Sequence, residues 1–304
     1  MPINVPNDLP AVKTLQSENI FIIKEDRATK QDIRPLKILI LNLMPTKIVT
    51  ETQILRCLSN TPLQIEIDLL QTSTYTSKNT PEEHLFSFYK TFDDIKYNKY
   101  DGFIVTGAPV EHMEFSDVSY IDELHKIFNW SETHVHSSLY ICWGAQVALS
   151  YFYDIPKYNL DKKLSGIFAH KSTSAFENIF RGFDDVFNMP HSRNSEVKLS
   201  DIEKNQSLDV LAHSKKAGPS IISSHDRRKF FITGHFEYDN DTLSIEYFRD
   251  KNAGIDVPIP ENYFEDDDPT KNPIVTWRSH AQLFYSNWIN YYLYQDTPFD
   301  LNSI

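Results

Sequence analysis

Three side chains in this sequence could share one reaction: a thiol, a base, and an acid that holds the base. Only two cysteines occur in 304 residues. One, Cys142, lies in "SLYICWGAQVALSYF" (138–152), where an apolar run passes through Trp143 and Gly144 into a helical pattern. Strand, sharp turn and helix make a nucleophile elbow. At that seam the helix N-terminus is expected to lower the thiol's pKa. The backbone N–H of Trp143 is the expected donor to a developing oxyanion. The base is expected in "KFFITGHFEYDND" (229–241), where Gly234 closes an apolar strand and His235 and Glu237 follow. Residues two apart share one side of an extended chain, so Glu237 can hold His235 as the acid does in a Ser-His-Asp triad. The other ten histidines lack this combination. Position alone also allows a buried core cysteine, with an ordinary His and Glu at a strand end. Cys57, inside a helix, fits a core cysteine better.

Such residues need a frame. "LKILILNLMP" (36–45), "LQIEIDLLQT" (63–72), "YDGFIVTGAP" (100–109) and "SSLYIC" (137–142) read as strands. Between them lie helical patterns. "TKIVTETQILRCLSN" places Ile48, Thr52, Leu55 and Leu58 at helical spacing. "TPEEHLFSFYKTF" opens with Thr80, Pro81 and Glu83, a capping box. "SYIDELHKIFNW" (119–130) and "GAQVALSYFY" (144–153) follow. This alternation predicts an α/β fold, a mostly parallel sheet flanked by helices. Beyond about residue 155 the order loosens. Short strands are expected at 208–213, 219–224 and 229–235, with helices over 241–251 and 278–295. Residues 1–34 are expected as an N-terminal extension packed on a single catalytic domain, 35–304.

The net charge of −12 argues against a nucleic-acid surface, which needs clustered Lys and Arg. No apolar run reaches the length of a membrane span. "MPINVPNDLP" lacks the pattern of a secretion signal, and two cysteines then read as free thiols of a cytoplasmic protein. The acidic run Glu265 to Asp268 lacks the EF-hand glycine and spacing, and no metal site is expected.

"CWGAQ" (142–146) resembles the Cys-x-Gly-x-Gln core of class I glutamine amidotransferases, and "GHFEYD" (234–239) their His-x-Glu. The glycine usual two places before that cysteine is Tyr140 here. Over nearly its full length the chain resembles the homoserine O-acyltransferases of methionine biosynthesis. The strings that carry this include "MPINVPNDLPA", "LNLMPTKIVTETQ", "GAPVEHMEF", "ICWGAQ", "MPHSR", "TGHFEYD", "NYF" and "WRSHAQLFYSNWINYYLYQDTPFDL". The resemblance implies a class I glutamine amidotransferase-like (flavodoxin-like) fold with C-terminal additions. It implies acyl transfer from an acyl-CoA to L-homoserine through an acyl-Cys142 thioester, with His235 as base and Glu237 orienting it. It puts Lys163, Ser192 and Arg249 at substrate-binding positions. Glu246, three residues before Arg249, shares its helix face and is expected to take the substrate ammonium. By themselves Lys163 would be a solvated lysine, Ser192 a turn residue, and Glu246 with Arg249 a surface ion pair. Position 111 goes with the acyl donor in this family, glycine with succinyl and glutamate with acetyl. Glu111 therefore implies acetyl-CoA as co-substrate, since a carboxylate facing the pocket repels that of succinyl. No prosthetic group is implied, and a homodimer is. The alternatives are succinyl transfer and, from the amidotransferase core, a glutamine amidotransferase or thiol hydrolase.

Overall fold

The computed structural model describes residues 3–5, 22–24, 34–74, 79–174 and 176–304. Most of the expected N-terminal extension lies outside them. Its described part is a parallel strand pair, β1 (Ile3–Val5) and β2 (Ile22–Lys24).

Ten strands make the main sheet. β3 (Leu36–Leu41), β4 (Ile65–Leu70), β5 (Tyr89–Lys90), β6 (Tyr100–Val105) and β7 (Val135–Ile141) form a parallel half in the spatial order β5-β4-β3-β6-β7. β8 (Tyr158–Ser172), β9 (Phe187–Glu196), β10 (Leu208–Ser214) and β11 (Gly218–Ser224) form an antiparallel half in the order β11-β10-β8-β9. Between the halves lies β12 (Lys229–Ile232), parallel to β7 and antiparallel to β11.

The helices are α1 (Lys47–Leu58), α2 (Glu82–Phe88), α3 (Phe92–Ile95), α4 (Ile121–His134), α5 (Trp143–Tyr153), α6 (Leu199–Ile202), α7 (Thr242–Asn252) and α8 (Arg278–Asn287). α8 runs on into a π-helical stretch, Trp288–Tyr294. A parallel sheet is covered on both faces, and β3, β6 and β7 are buried along most of their length. Ile38, Ile40, Ile104, Leu139 and Ile141 pack against Ile54 and Leu58 of α1 and the aromatic C-terminal helix. Leu39, Leu41, Phe103, Val105 and Tyr140 pack against Leu124, Ile127 and Phe128 of α4 and Val147 and Ala148 of α5. No described helix is long and apolar enough to cross a membrane.

Three local expectations need correction. Helix α1 forms, but Ile48, Thr52 and Leu55 of its apolar stripe face solvent. The buried face carries Lys47, Glu51, Ile54 and Leu58, because it closes over a polar cluster. There Glu51 accepts from the Tyr89 hydroxyl and pairs with His84, while Lys47 donates to the Asn42 carbonyl. The capping box at Thr80 and Glu83 is not the helix start: Pro81 takes the N-cap, and the Thr80 hydroxyl donates to the Pro45 carbonyl. A capping box does form downstream, between Thr91 and Asp94. Finally, 158–172 and 187–196 are strands where the sequence reading had none. Ser192 thus sits in a strand, not a turn. β9 holds a proline, which an edge strand tolerates.

Candidate active site

The site is built from the ends of β6, β7 and β12, the β8–β9 pair and helix α7. Cys142 follows β7 directly and serves as the N-cap of α5, with φ 51° and ψ −116°. That left-handed region costs a non-glycine residue of order 1–3 kcal/mol. The strain is held by the main chain on both sides: Cys142 N–H donates to the Ile232 carbonyl at 2.7 Å, and Gln146 N–H to the Cys142 carbonyl at 3.1 Å. Gly144 permits the turn by close approach, because a Cβ there would lie 2.6 Å from the Thr106 carbonyl oxygen. Trp143 opens the helix, so its N–H has no acceptor within the helix.

Beyond β12, Gly234 lies so close to β9 that a Cβ would meet the Pro190 oxygen at 2.7 Å. His235 N–H then donates to that same oxygen at 2.8 Å. His235 Nδ1 and Glu237 Oε1 are 2.6 Å apart, both side chains buried. The imidazole lies close enough to the Cys142 thiol for each to favour the charged form of the other. Thiol, base and orienting acid therefore meet as the sequence reading expected. Glu237 and the thiol's negative form together raise His235 well above the ordinary histidine range, against the cost of burial. The thiol itself departs from expectation. Burial pushes Cys142 up, with the Glu111 carboxylate adding to it, and this outweighs the pull of His235 and Arg193. Cys57 is a buried core cysteine, its thiol pushed up to about 12 mainly by burial.

Glu111 reaches the same place from the loop after β6. Its Oε1 lies 3.8 Å from Cys142 Sγ. Its Oε2 accepts from Asn194 N at 2.8 Å and Nδ2 at 3.1 Å. Burial raises its pKa, with the Asn194 bonds opposing.

Lys163 on β8, Ser192 on β9 and Glu246 on α7 converge next to the triad, while Arg249, also on α7, lies largely exposed at the edge of this cluster beside Asp250. Ser192 Oγ donates to Glu246, and Lys163 Nζ lies 3.8 Å from the same carboxylate. The surface ion pair between Glu246 and Arg249 does not form. Arg249 instead donates Nε to Asp250 Oδ1 at 2.8 Å, while Lys163 reaches Asp250 Oδ2 at 2.9 Å. In this cluster Asp250 and Tyr238 are the residues the sequence reading missed, as it missed Asn194 beside Glu111. Tyr238 stacks on His235, ring centroids 4.0 Å apart, and donates to Glu246 at 3.0 Å. It joins base and binding cluster. The signal for it was its place in "GHFEYD", three after the base; Asp250 had none beyond its neighbour Arg249.

A buried thiol beside an acid-paired imidazole, at a helix N-terminus and next to a cluster of charged side chains, can accept an acyl group and pass it to a small amino acid. A family model described as homoserine O-succinyltransferase matches residues 2–299. A homoserine O-acetyltransferase of Clostridium acetobutylicum is 57% identical over 301 residues, covering 99% of this chain and 100% of the relative. One of Bacteroides thetaiotaomicron is 54% identical over 304 residues, with 100% of both chains covered. The solved structure of a glutamine amidotransferase from Thermotoga maritima matches with a TM-score of 0.55 at 13% identity, over 84% of this chain and 98% of that one. The last likeness shows a class I glutamine amidotransferase fold and nothing more.

Proposed function

The chain belongs to the homoserine O-succinyltransferase family, and from that premise we propose that it transfers an acetyl group from acetyl-CoA to the side-chain hydroxyl of L-homoserine. The observation that carries this is the Glu111 carboxylate 3.8 Å from Cys142 Sγ, beside the paired His235 and Glu237. The family name speaks of succinyl and the relatives' names of acetyl. Glu111 supports the relatives: it fills the space an acyl group would extend into and repels a second carboxylate.

Cys142 sulfur attacks the thioester carbonyl, and a new S–C bond forms as the thiol proton passes to His235. Charge on the oxygen falls toward the N–H of Trp143. The bond to CoA sulfur breaks, and CoA leaves with the proton held by His235. One thioester has replaced another, so little energy is lost. Homoserine then enters. Glu246 faces its ammonium, and Arg249 and Lys163 its carboxylate. His235 takes the hydroxyl proton, the oxygen attacks the acetyl carbonyl, and the bond to Cys142 breaks as its sulfur takes the proton back from His235. Glu237 stabilises the imidazolium in both halves. The carrier is the thiol itself, so no prosthetic group is required. The free, buried state of both cysteines fits a cytoplasmic setting. The implied homodimer is read by light scattering.

The test is the intact mass of the protein after acetyl-CoA alone. The expected result is one acetyl group on the Cys142 peptide, discharged by homoserine. Labelling by succinyl-CoA and not acetyl-CoA would overturn the choice of donor. No labelling by either, with glutaminase activity instead, would return the site to amidotransferase chemistry.

A further inference from the structure

Glu111 stands on a loop that neither strand nor helix holds. A long side chain excludes a larger acyl group only if it is kept from swinging aside. Two residues keep it. Lys157 Nζ donates to the main-chain oxygens of Glu111 and Met113, each at 2.6 Å, and pins the loop. Asn194 holds the carboxylate, with backbone N–H at 2.8 Å and Nδ2 at 3.1 Å on the one oxygen Oε2. The other oxygen is left facing Cys142. Asn194 is anchored in turn. Its neighbour Ser195 donates Oγ to Gln146 Oε1 at 2.7 Å and accepts from Gln146 Nε2 at 3.1 Å. Gln146 lies one turn past Cys142 on α5. The elbow that presents the thiol thus fixes, through β9, the carboxylate that faces it.

We propose that Asn194 is a positioning residue for acyl-donor choice: its two hydrogen bonds fix the Glu111 carboxylate over Cys142 and thereby set the preference for acetyl over succinyl. This rests on the reading of the site as an acetyl-CoA:homoserine acyltransferase. The bonds act twice. They hold the side chain in place, and they favour its charged form against burial. A neutral Glu111 keeps its bulk but loses the repulsion that rejects succinyl.

The experiment compares kcat/KM for acetyl-CoA and succinyl-CoA in the wild type, Asn194→Ala, Glu111→Gly and the double variant. Asn194→Leu, close in volume and without a donor, serves if the alanine variant folds poorly. The acetyl-to-succinyl ratio is expected to fall about tenfold on losing the side-chain bond, the size of one hydrogen bond to a charged group. On the Glu111→Gly background the same substitution should leave the ratio where Glu111→Gly alone put it. An unchanged ratio in Asn194→Ala and Asn194→Leu overturns the proposal. So does an equal shift in both backgrounds, because Asn194 would then act without Glu111. A wild type that takes no acetyl group onto Cys142 would sink the functional reading as well, whereas an unchanged ratio in a protein that does take it sinks only the role of Asn194.

Discussion

The two halves of the sheet place their functional groups by different means. In the parallel half the main chain does it: a strained Cys142, and a Gly144 with no room for a Cβ. In the antiparallel half and α7 side chains do it, through the bonds among Lys163, Ser192, Glu246 and Asp250. Backbone placement admits little substitution, since every residue type shares the same main-chain atoms and only glycine leaves the space open. Side-chain placement can be retuned one residue at a time. The nucleophile is therefore expected to be fixed and the choice of substrates adjustable. The base falls at the joint, after the one strand that pairs with both halves.

The sharpest test of this division is Glu237→Gln. It should slow acetylation of Cys142 by about 10³- to 10⁴-fold, as loss of the orienting acid does in a Ser-His-Asp triad. Because burial holds the Cys142 thiol above its ordinary range, wild-type acetylation should rise with pH through neutrality. Glu237 favours the proton on His235, so without it the pair of Cys142 and His235 loses its first proton more readily, and stopped-flow acetylation should show that rise at lower pH. Next is Gly144→Ala, whose Cβ would meet the Thr106 oxygen at 2.6 Å. Calorimetry should find a loss of about 1–3 kcal/mol from overpacking, together with slower acetylation. A variant as stable and fast as the wild type would break the case for backbone placement.

Asp250→Asn addresses the other half. Single-turnover assays should give unchanged acetyl-enzyme formation, with the KM for homoserine raised about tenfold by weakened charged hydrogen bonds. If acetylation slowed equally, the halves would not be separable. The smallest effect is on stability in acid. His170 and His191 lie in contact on β8 and β9, Nε2 to Nε2 at 3.1 Å. Burial lowers His170 to about 4 and His191 well below its ordinary value. Both are lowered in the folded state, so their contribution is fully present above the unfolded histidine pKa and is lost as pH falls toward about 4. The melting temperature should drop over that window, and less in His170→Asn.

The same contrast explains what the sequence made legible. β3 is buried on both faces and reads as an apolar run ending in a turn, and β7 does so over its last residues, Leu139 to Ile141. Cys142, His235 and Glu237 were readable because strand ends, glycine and i,i+2 spacing are local signals. β8 is half polar, with Asp161, Lys162 and Lys163 in succession and its buried residues confined to one end. Its pairing with β9 depends on partners far away in sequence, so period and propensity gave no hint. α1 was placed but turned the wrong way, since its buried face is polar for reasons that lie in Asn42 and Tyr89. Nor did spacing reveal that Arg249 turns to its neighbour Asp250 rather than to Glu246.

The joint strand also sets an order of events during synthesis. β7 and α5 carry the thiol and are complete by residue 153, whereas β12 and the base appear only after all four antiparallel strands have left the ribosome. Until then Cys142 lacks the Ile232 carbonyl that holds its strained turn, a proton acceptor, and the wall of β9 beside Glu111. Closing β12 against β7 is a long-range pairing, slow compared with local contacts. An unfinished or truncated chain would thus meet the cell's acyl-CoA pool with a thiol that has no base to take its proton. Reactivity is delayed until the binding cluster that disposes of the acyl group is also in place.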